Sequence, residues 1–197
     1  MLILVRHGRT AANAAGLLQG RLDHPLDQHG RWQAECIAAA LPNVDRVVSS
    51  PLLRATQTAR ALGRSVEVDE RWIELDYGNL DGCRLAEVAA EVWERWRWDL
   101  DFVPAGGESQ RELGARVHEA CEELLAKALE VDIVVVSHVS PIKAAVAWAL
   151  GAGVESAWRS YLDQGSISRI AGVPSRPMLR SFNETWHLTG PATPAPA

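Results

Sequence analysis

The chain has 197 residues, 47% hydrophobic and 23% charged, and its 20 basic and 25 acidic side chains give a formal charge of −5. This suits one globular domain with a full-sized core, and a negative balance without runs of like charge argues against a general nucleic-acid or anionic-membrane surface. Cys36, Cys83 and Cys121 are odd in number and widely spaced, no stretch has the length of a membrane span, and Met1 leads straight into an apolar run without a leader pattern, so reduced thiols and a cytoplasmic location are expected.

Leu2-Ile3-Leu4-Val5 predicts a strand covered on both faces, and it stops at Arg6-His7-Gly8-Arg9-Thr10. Ligands of parallel α/β sheets bind beyond the carboxyl ends of the strands, which is where His7 falls. Arg6 offers a fork of donors that matches phosphate, and Gly8 would let the backbone approach a ligand. Residues 11–25 show no apolar period and read as a long loop, which makes Thr10, Asn13 and Gln19 candidate polar contacts and Asp23 a turn residue. A helix capped by Asp27 follows, with Trp32, Cys36, Ile37, Ala40 and Leu41 on one face, and Pro42 ends it.

Residues 44–48 predict a short strand, after which Ser50 reads as cap and Pro51 as first residue of a helix ending at Gly63. Arg54, one turn into that helix, adds a bidentate fork to the helix's positive end. Residues 65–68 suggest a further strand. Glu74 and Asp76 then alternate with Trp72, Ile73, Leu75 and Tyr77; a carboxyl group partly desolvated by such neighbours holds its proton more tightly and suits proton donation, and the pattern leaves both acids open.

Leu85, Val88, Ala89, Val92 and Trp96 recur at helical spacing, with Trp98 off that face. After the break at Pro104-Ala105-Gly106-Gly107, the capping box Ser109-Gln110-Arg111-Glu112 opens a long helix carrying Leu113, Val117, Cys121, Leu124 and Ala128. Residues 131–136 form the most apolar strand and end in Ser137-His138; Ser140 and Pro141 repeat the cap-and-proline pattern before a helix closed by Gly151. Residues 166–170 and 178–188 predict marginal strands. The expected architecture is a three-layer α/β/α sandwich with a mostly parallel central sheet, one domain over residues 1–190, and a disordered Pro/Ala-rich tail at 191–197.

Two histidines, two or more arginines and a carboxylic acid brought to one sheet edge describe a phosphate site with a nucleophile. A metal hydrolase is the rival chemistry, and no HxxxH-type cluster supports it. Arg6-His7-Gly8-Arg9-Thr10, Asn13 with Gln19-Gly20, Asp23 to Leu26, Ser50-Pro51-Leu52 with Arg54, Glu74 with Tyr77-Gly78 and Gly82, Gly107-Glu108-Ser109 and Ser137-His138 run in an order that resembles the histidine phosphatase superfamily, the phosphoglycerate-mutase-like proteins, over about residues 1–145. The resemblance implies His7 as nucleophile, Arg6, Arg54 and His138 as phosphate ligands, Asn13 as a further contact and Glu74 as proton donor. Thr10, Gln19, Gly20 and Val139 complete the candidate contacts.

It implies a metal-independent phosphatase, without cofactor, that acts on a small organic phosphomonoester through a phosphohistidine. Phosphoglycerate mutase-type transfer and non-catalytic binding of a phospho-ligand stay as alternatives, and a homodimer stays open. Val139 follows His138 where the family usually has Gly; its N–H could still bind phosphate, but Val cannot take a positive φ. Residues 137–143 are similar to the variant in cobalamin-pathway (α-ribazole phosphate) phosphatases and in phosphatase domains fused to ribonuclease H, which makes Lys143 a candidate substrate contact. As the resemblance has it, mutases carry a longer insertion between the acid's segment and the Gly-Glu-Ser motif; here only residues 83–106 separate them, and the resemblance therefore implies a short roof that favours hydrolysis over transfer. Trp93, Trp96 or Trp98 could face the leaving group, with Trp96 read as core and Trp98 as the better roof candidate.

Overall fold

In the computed structural model, which describes residues 1–189, the opening aliphatic run becomes strand β1 (Leu2–Arg6). The chain continues through α1 (Ala11–Ala14), α2 (Gln28–Ala40), β2 (Arg46–Ser49), α3 (Leu53–Arg60), β3 (Val66–Val68), α4 (Ala90–Trp98), α5 (Gln110–Lys127), β4 (Ile133–Ser137), α6 (Val139–Ala149), β5 (Ile167–Val173) and β6 (Arg176–Glu184). The six strands form one sheet in the order β3-β2-β4-β1-β5-β6. The first four of that order run parallel, and β5 and β6 extend the sheet as antiparallel neighbours. Mostly parallel, with helices on both faces, the architecture is the α/β/α sandwich expected from the sequence.

The strand period of two explains how both faces are covered. Leu2 and Leu4 join Ile133, Val135, Val117, Leu124 and Ile142 on the side of α5 and α6. Ile3 and Val5 point the other way, toward Val134, Val136, Ile37 and Ala55 under α2 and α3. Each fully buried aliphatic of this kind contributes about 1.5–3 kcal/mol of transfer free energy, so the two central strands are the best anchored part of the sheet. A smaller cluster packs Val88, Trp93, Trp96 and Phe102 of the 83–106 segment against Leu18.

Several boundaries differ from the sequence reading. The loop after Thr10 contains α1, because Thr10 accepts from the Asn13 N–H while the Asn13 side chain accepts from the Thr10 N–H in a local capping box. Neither serine cap forms as expected. Helix α3 starts at Leu53 with Leu52 in the cap position and Pro51 outside it, and α6 starts at Val139 with His138 as cap and Pro141 inside the first turn. The Ser50 hydroxyl accepts from the Leu52 N–H at 3.3 Å, outside the helix, and meets His138 at 2.7 Å. The helix expected from Leu85 is split into a 3₁₀ turn, Leu85–Glu87, and α4, with Val88 and Ala89 extended between them. The last strand stops at Glu184, ahead of a 3₁₀ turn at Trp186–Leu188.

Gly8 serves packing: a Cβ there would collide with the Gly30 carbonyl, and one on Gly30 would meet the Arg9 backbone, so the paired glycines let the end of β1 rest on the start of α2. Among the described residues no helix is long and apolar enough to cross a membrane. The tail expected at 191–197 lies outside the described residues.

Candidate active site

Parallel pairing sets Arg6 opposite Ser137, so the residues that leave β1 and β4, His7 and His138, emerge side by side with ring centroids 5.0 Å apart. His7 is 3% exposed, and its Nδ1 lies 2.7 Å from the Gly8 carbonyl oxygen. A carbonyl only accepts, so the hydrogen-bond network assigns the proton to Nδ1 and leaves the Nε2 lone pair free. Burial, reinforced by the positive charges of Arg54 and Arg6, pushes the imidazole well below its usual pKa. His7 is therefore a neutral base with one open nitrogen at neutral pH.

Arg54 reaches the same point from α3 and is almost wholly buried. Its Nε donates to His138 Nδ1 at 3.2 Å, and its two terminal nitrogens donate to the Leu22 and Gly20 carbonyls, each at 2.7 Å. A guanidinium has five N–H donors, so this arrangement fixes the fork and leaves two for a ligand. Because His138 Nδ1 accepts, its Nε2–H donates to Ser50 Oγ at 2.7 Å. His138 is fully buried and does not line the cavity; burial and Arg54 push its pKa down, and it holds Arg54 from behind. Arg6 donates to the Leu162 carbonyl while its Nε is buried without a partner.

Glu74 and Asp76 separate cleanly. Glu74 lines the cavity, where Oε1 accepts from the Leu75 and Ser140 N–H groups and Oε2 from the Val139 N–H. Asp76 turns outward to Arg21 and accepts from the Gly78 N–H. Beneath Glu74, Arg116 is gripped by Glu108 at 2.7 and 2.9 Å and donates to the Arg71 and Glu74 carbonyls, so the acid's backbone is clamped. Glu108, of the Gly-Glu-Ser motif, also meets Arg21 at 3.3 Å.

These groups surround a cavity of about 290 Å³. Its floor holds Arg6, His7, Arg54 and Glu74, with Asn13, Gln19 and Gly20 at the margin. Its upper wall is apolar, built by Leu17, Leu85, Trp93, Trp96, Val154 and Trp158. Trp93 makes ring contacts with both Trp96 and Trp158, at 5.3 and 6.1 Å between centroids.

Some candidates fall elsewhere. Thr10 is fully buried, bonds Gln19 and Asn13, and does not line the cavity; its work is capping α1. The Val139 N–H is committed to Glu74 and not free for phosphate. Trp98 is 79% exposed and off the wall, which overturns its expected place in the roof, while buried Trp96 is both core and lining. Sequence reasoning missed Trp158 in the wall, Ser140 beside Glu74, and the clamp by Arg116. The helical spacing of Val139 and Lys143 was a usable signal for one wall; nothing local marked Trp158.

The sequence pattern of the histidine phosphatase superfamily (branch 1) matches residues 2–185. The bifunctional protein Rv2228c of Mycobacterium tuberculosis is 36% identical over 177 residues, 85% of this chain and 49% of that protein, so the chain spans about half the length of the first curated relatives it matches. Phosphoserine phosphatase 1 of Hydrogenobacter thermophilus is 34% identical over 197 residues, covering 95% of this chain and 93% of the relative. Among solved structures, the α-ribazole phosphatase of Shigella flexneri superposes with a TM-score of 0.81 at 28% identity, covering 93% of this chain and 96% of the other.

Proposed function

We propose that this chain, which belongs to the histidine phosphatase superfamily, hydrolyses a small organic phosphomonoester through a phosphohistidine at His7. The observation that carries the reading is the open Nε2 of a neutral, buried His7 on the cavity floor between two arginines. Arg6 and the two spare donors of Arg54 take the peripheral phosphate oxygens and spread their charge as it shifts in the transition state. Nε2 attacks phosphorus in line, the P–O bond to the alcohol breaks, and Glu74 delivers a proton to the departing oxygen. Glu74 then removes a proton from water, whose oxygen attacks phosphorus; the P–N bond breaks and inorganic phosphate leaves with His7 neutral again.

No metal is needed in this scheme, since the guanidinium groups already face the phosphate. Among the described residues no three His, Cys, Asp or Glu side chains converge as a cation site. The three free thiols are in keeping with a reducing cytoplasm. The apolar wall supports an organic leaving group with a sizeable hydrocarbon face, because burying that face excludes water from the phosphoryl group.

A phosphomonoester panel read by phosphate release tests the reading. Release from at least one ester, lost in His7→Ala and surviving a chelator, is expected. Transfer to a second alcohol faster than release would turn the assignment to a mutase.

A further inference from the structure

We propose that Glu108 is a positioning residue for the reaction: through Arg116 and Arg21 its carboxylate holds the proton donor's segment in register with the loop that cradles Arg54. The proposal rests on the phosphatase reading above and adds how the acid and the phosphate fork are kept aligned.

The side chain of Glu108 takes no part in starting the helix that follows it. The cap of α5 is complete without it, since Ser109 accepts from the Glu112 N–H and Glu112 accepts from the Ser109 N–H. Its carboxylate, in a side chain only 12% exposed, is spent on two arginines from distant parts of the chain. Oε1 accepts from Arg116 Nε at 2.7 Å, and Oε2 accepts from Arg116 Nη2 at 2.9 Å and Arg21 Nη2 at 3.3 Å. The grip on Arg116 is a bidentate fork, which fixes orientation as well as distance.

Each arginine leads to one half of the chemistry. Arg116 donates to the Arg71 carbonyl at 2.6 Å and to the Glu74 carbonyl at 3.4 Å, so it grips the backbone that carries the acid. Arg21 stands between Gly20 and Leu22, whose carbonyls accept from Arg54 at 2.7 Å each. Its Nη1 also meets Asp76 at 3.3 Å, and the Glu108 N–H donates to the Asp76 carbonyl at 2.9 Å. The seam is close: a Cβ on Gly107 would strike the Asp76 carbonyl, and one on Gly78 the Ala105 carbonyl. Catalytic groups need supporting contacts that hold them to about 0.5 Å, and a misplacement of about 1 Å can cost about 10²-fold in rate. A hub whose two arms end on different groups predicts two separable losses.

The test reads Arg116→Met, Arg21→Met and Glu108→Gln by hydrolysis of an alkyl phosphate and of p-nitrophenyl phosphate, and by calorimetric titration with inorganic phosphate. Arg116→Met should lower kcat for the alkyl ester by about 10- to 100-fold, but for p-nitrophenyl phosphate by less than about three-fold, with phosphate affinity held. Arg21→Met should weaken phosphate by about ten-fold and lower kcat/KM for both esters by one common factor. Glu108→Gln should show both losses. Adding Arg116→Met to Glu74→Gln should leave the alkyl ester rate where Glu74→Gln alone puts it, because the arginine acts through the acid. If Arg116→Met fails to fold, Arg116→Lys, which keeps the charge and loses the fork, should show the same selective loss on the alkyl ester. One uniform loss across both esters and phosphate, the mark of a merely weakened fold, would overturn the proposal, as would full additivity in the double variant. A native protein that hydrolyses no ester contradicts the phosphatase reading; the phosphate titrations then still decide this proposal, which requires Arg21→Met and Glu108→Gln to weaken phosphate and Arg116→Met to hold it.

Discussion

The floor of the cavity and its upper wall are built by different rules. On the floor, each polar side chain is tied to backbone: His7 to the Gly8 carbonyl, Arg54 to the Gly20 and Leu22 carbonyls, Glu74 to the N–H groups of Leu75, Val139 and Ser140. The wall instead gathers Trp93 from α4 and Trp158 from the turn at Val154–Arg159, segments distant in the chain that meet through ring contacts. Preorganised donors stabilise a transition state because they need not move as charge develops, whereas apolar contact is tolerant of shape. Floor substitutions should therefore act on the chemical step and wall substitutions on the choice of ester.

The largest break in that comparison is His7→Ala, expected to lower kcat/KM by about 10⁵-fold or more, on the scale of losing other covalent nucleophiles, with ligand binding largely kept. Glu74→Gln comes next. Hydrolysis of alkyl phosphates should fall by about 10²–10⁴-fold, the range of general acid catalysis, but p-nitrophenyl phosphate, whose leaving group needs little protonation, by less than about ten-fold. Equal losses on both substrates would leave Glu74 an electrostatic role only. On the wall, Trp158→Ala should raise KM for bulky aromatic esters by about ten-fold while kcat and the KM of small esters stay put, as expected for one lost aromatic contact. Trp98→Ala should change neither, and steady-state kinetics on the paired esters reads both variants.

The same contrast predicts a pH signature. His7 and His138 have pKa values well below 6.5 when folded, so as pH falls below 6.5 the unfolded chain takes up protons that the folded chain refuses. Unfolding free energy then drops with falling pH, by up to about 1.4 kcal/mol per unit for each histidine, and is recovered above 6.5. Denaturant titrations between pH 5 and 7 should show the slope, and His138→Gln should reduce it if that variant folds. For the same reason, protonation of His7 should not form an acid limb of kcat/KM near pH 6.5.

What could be read from the residues was what is local. The β1 run ending in His7, the β4 run ending in His138 and the Ser109–Glu112 capping box each depend on neighbours within a few positions, and all three stand in the structure. Ser50 was misread because its hydroxyl bonds His138, a partner 88 positions away that no cap propensity contains. Thr10 was misread in the opposite sense: a local capping box claimed a hydroxyl that looked available for a ligand. The wall was least legible, since Trp98 and Trp158 differ only in what tertiary packing sets against them, one left in solvent and the other brought onto Trp93.

The claim on which all of this rests is that His7 forms a bond to phosphorus. Rapid quench of the native protein with a ³²P-labelled ester should leave label that is stable in alkali, labile in acid and located by peptide mapping at His7. Label of equal yield in His7→Ala, or single-turnover phosphate release from the native protein with no labelled protein at any time, would contradict it.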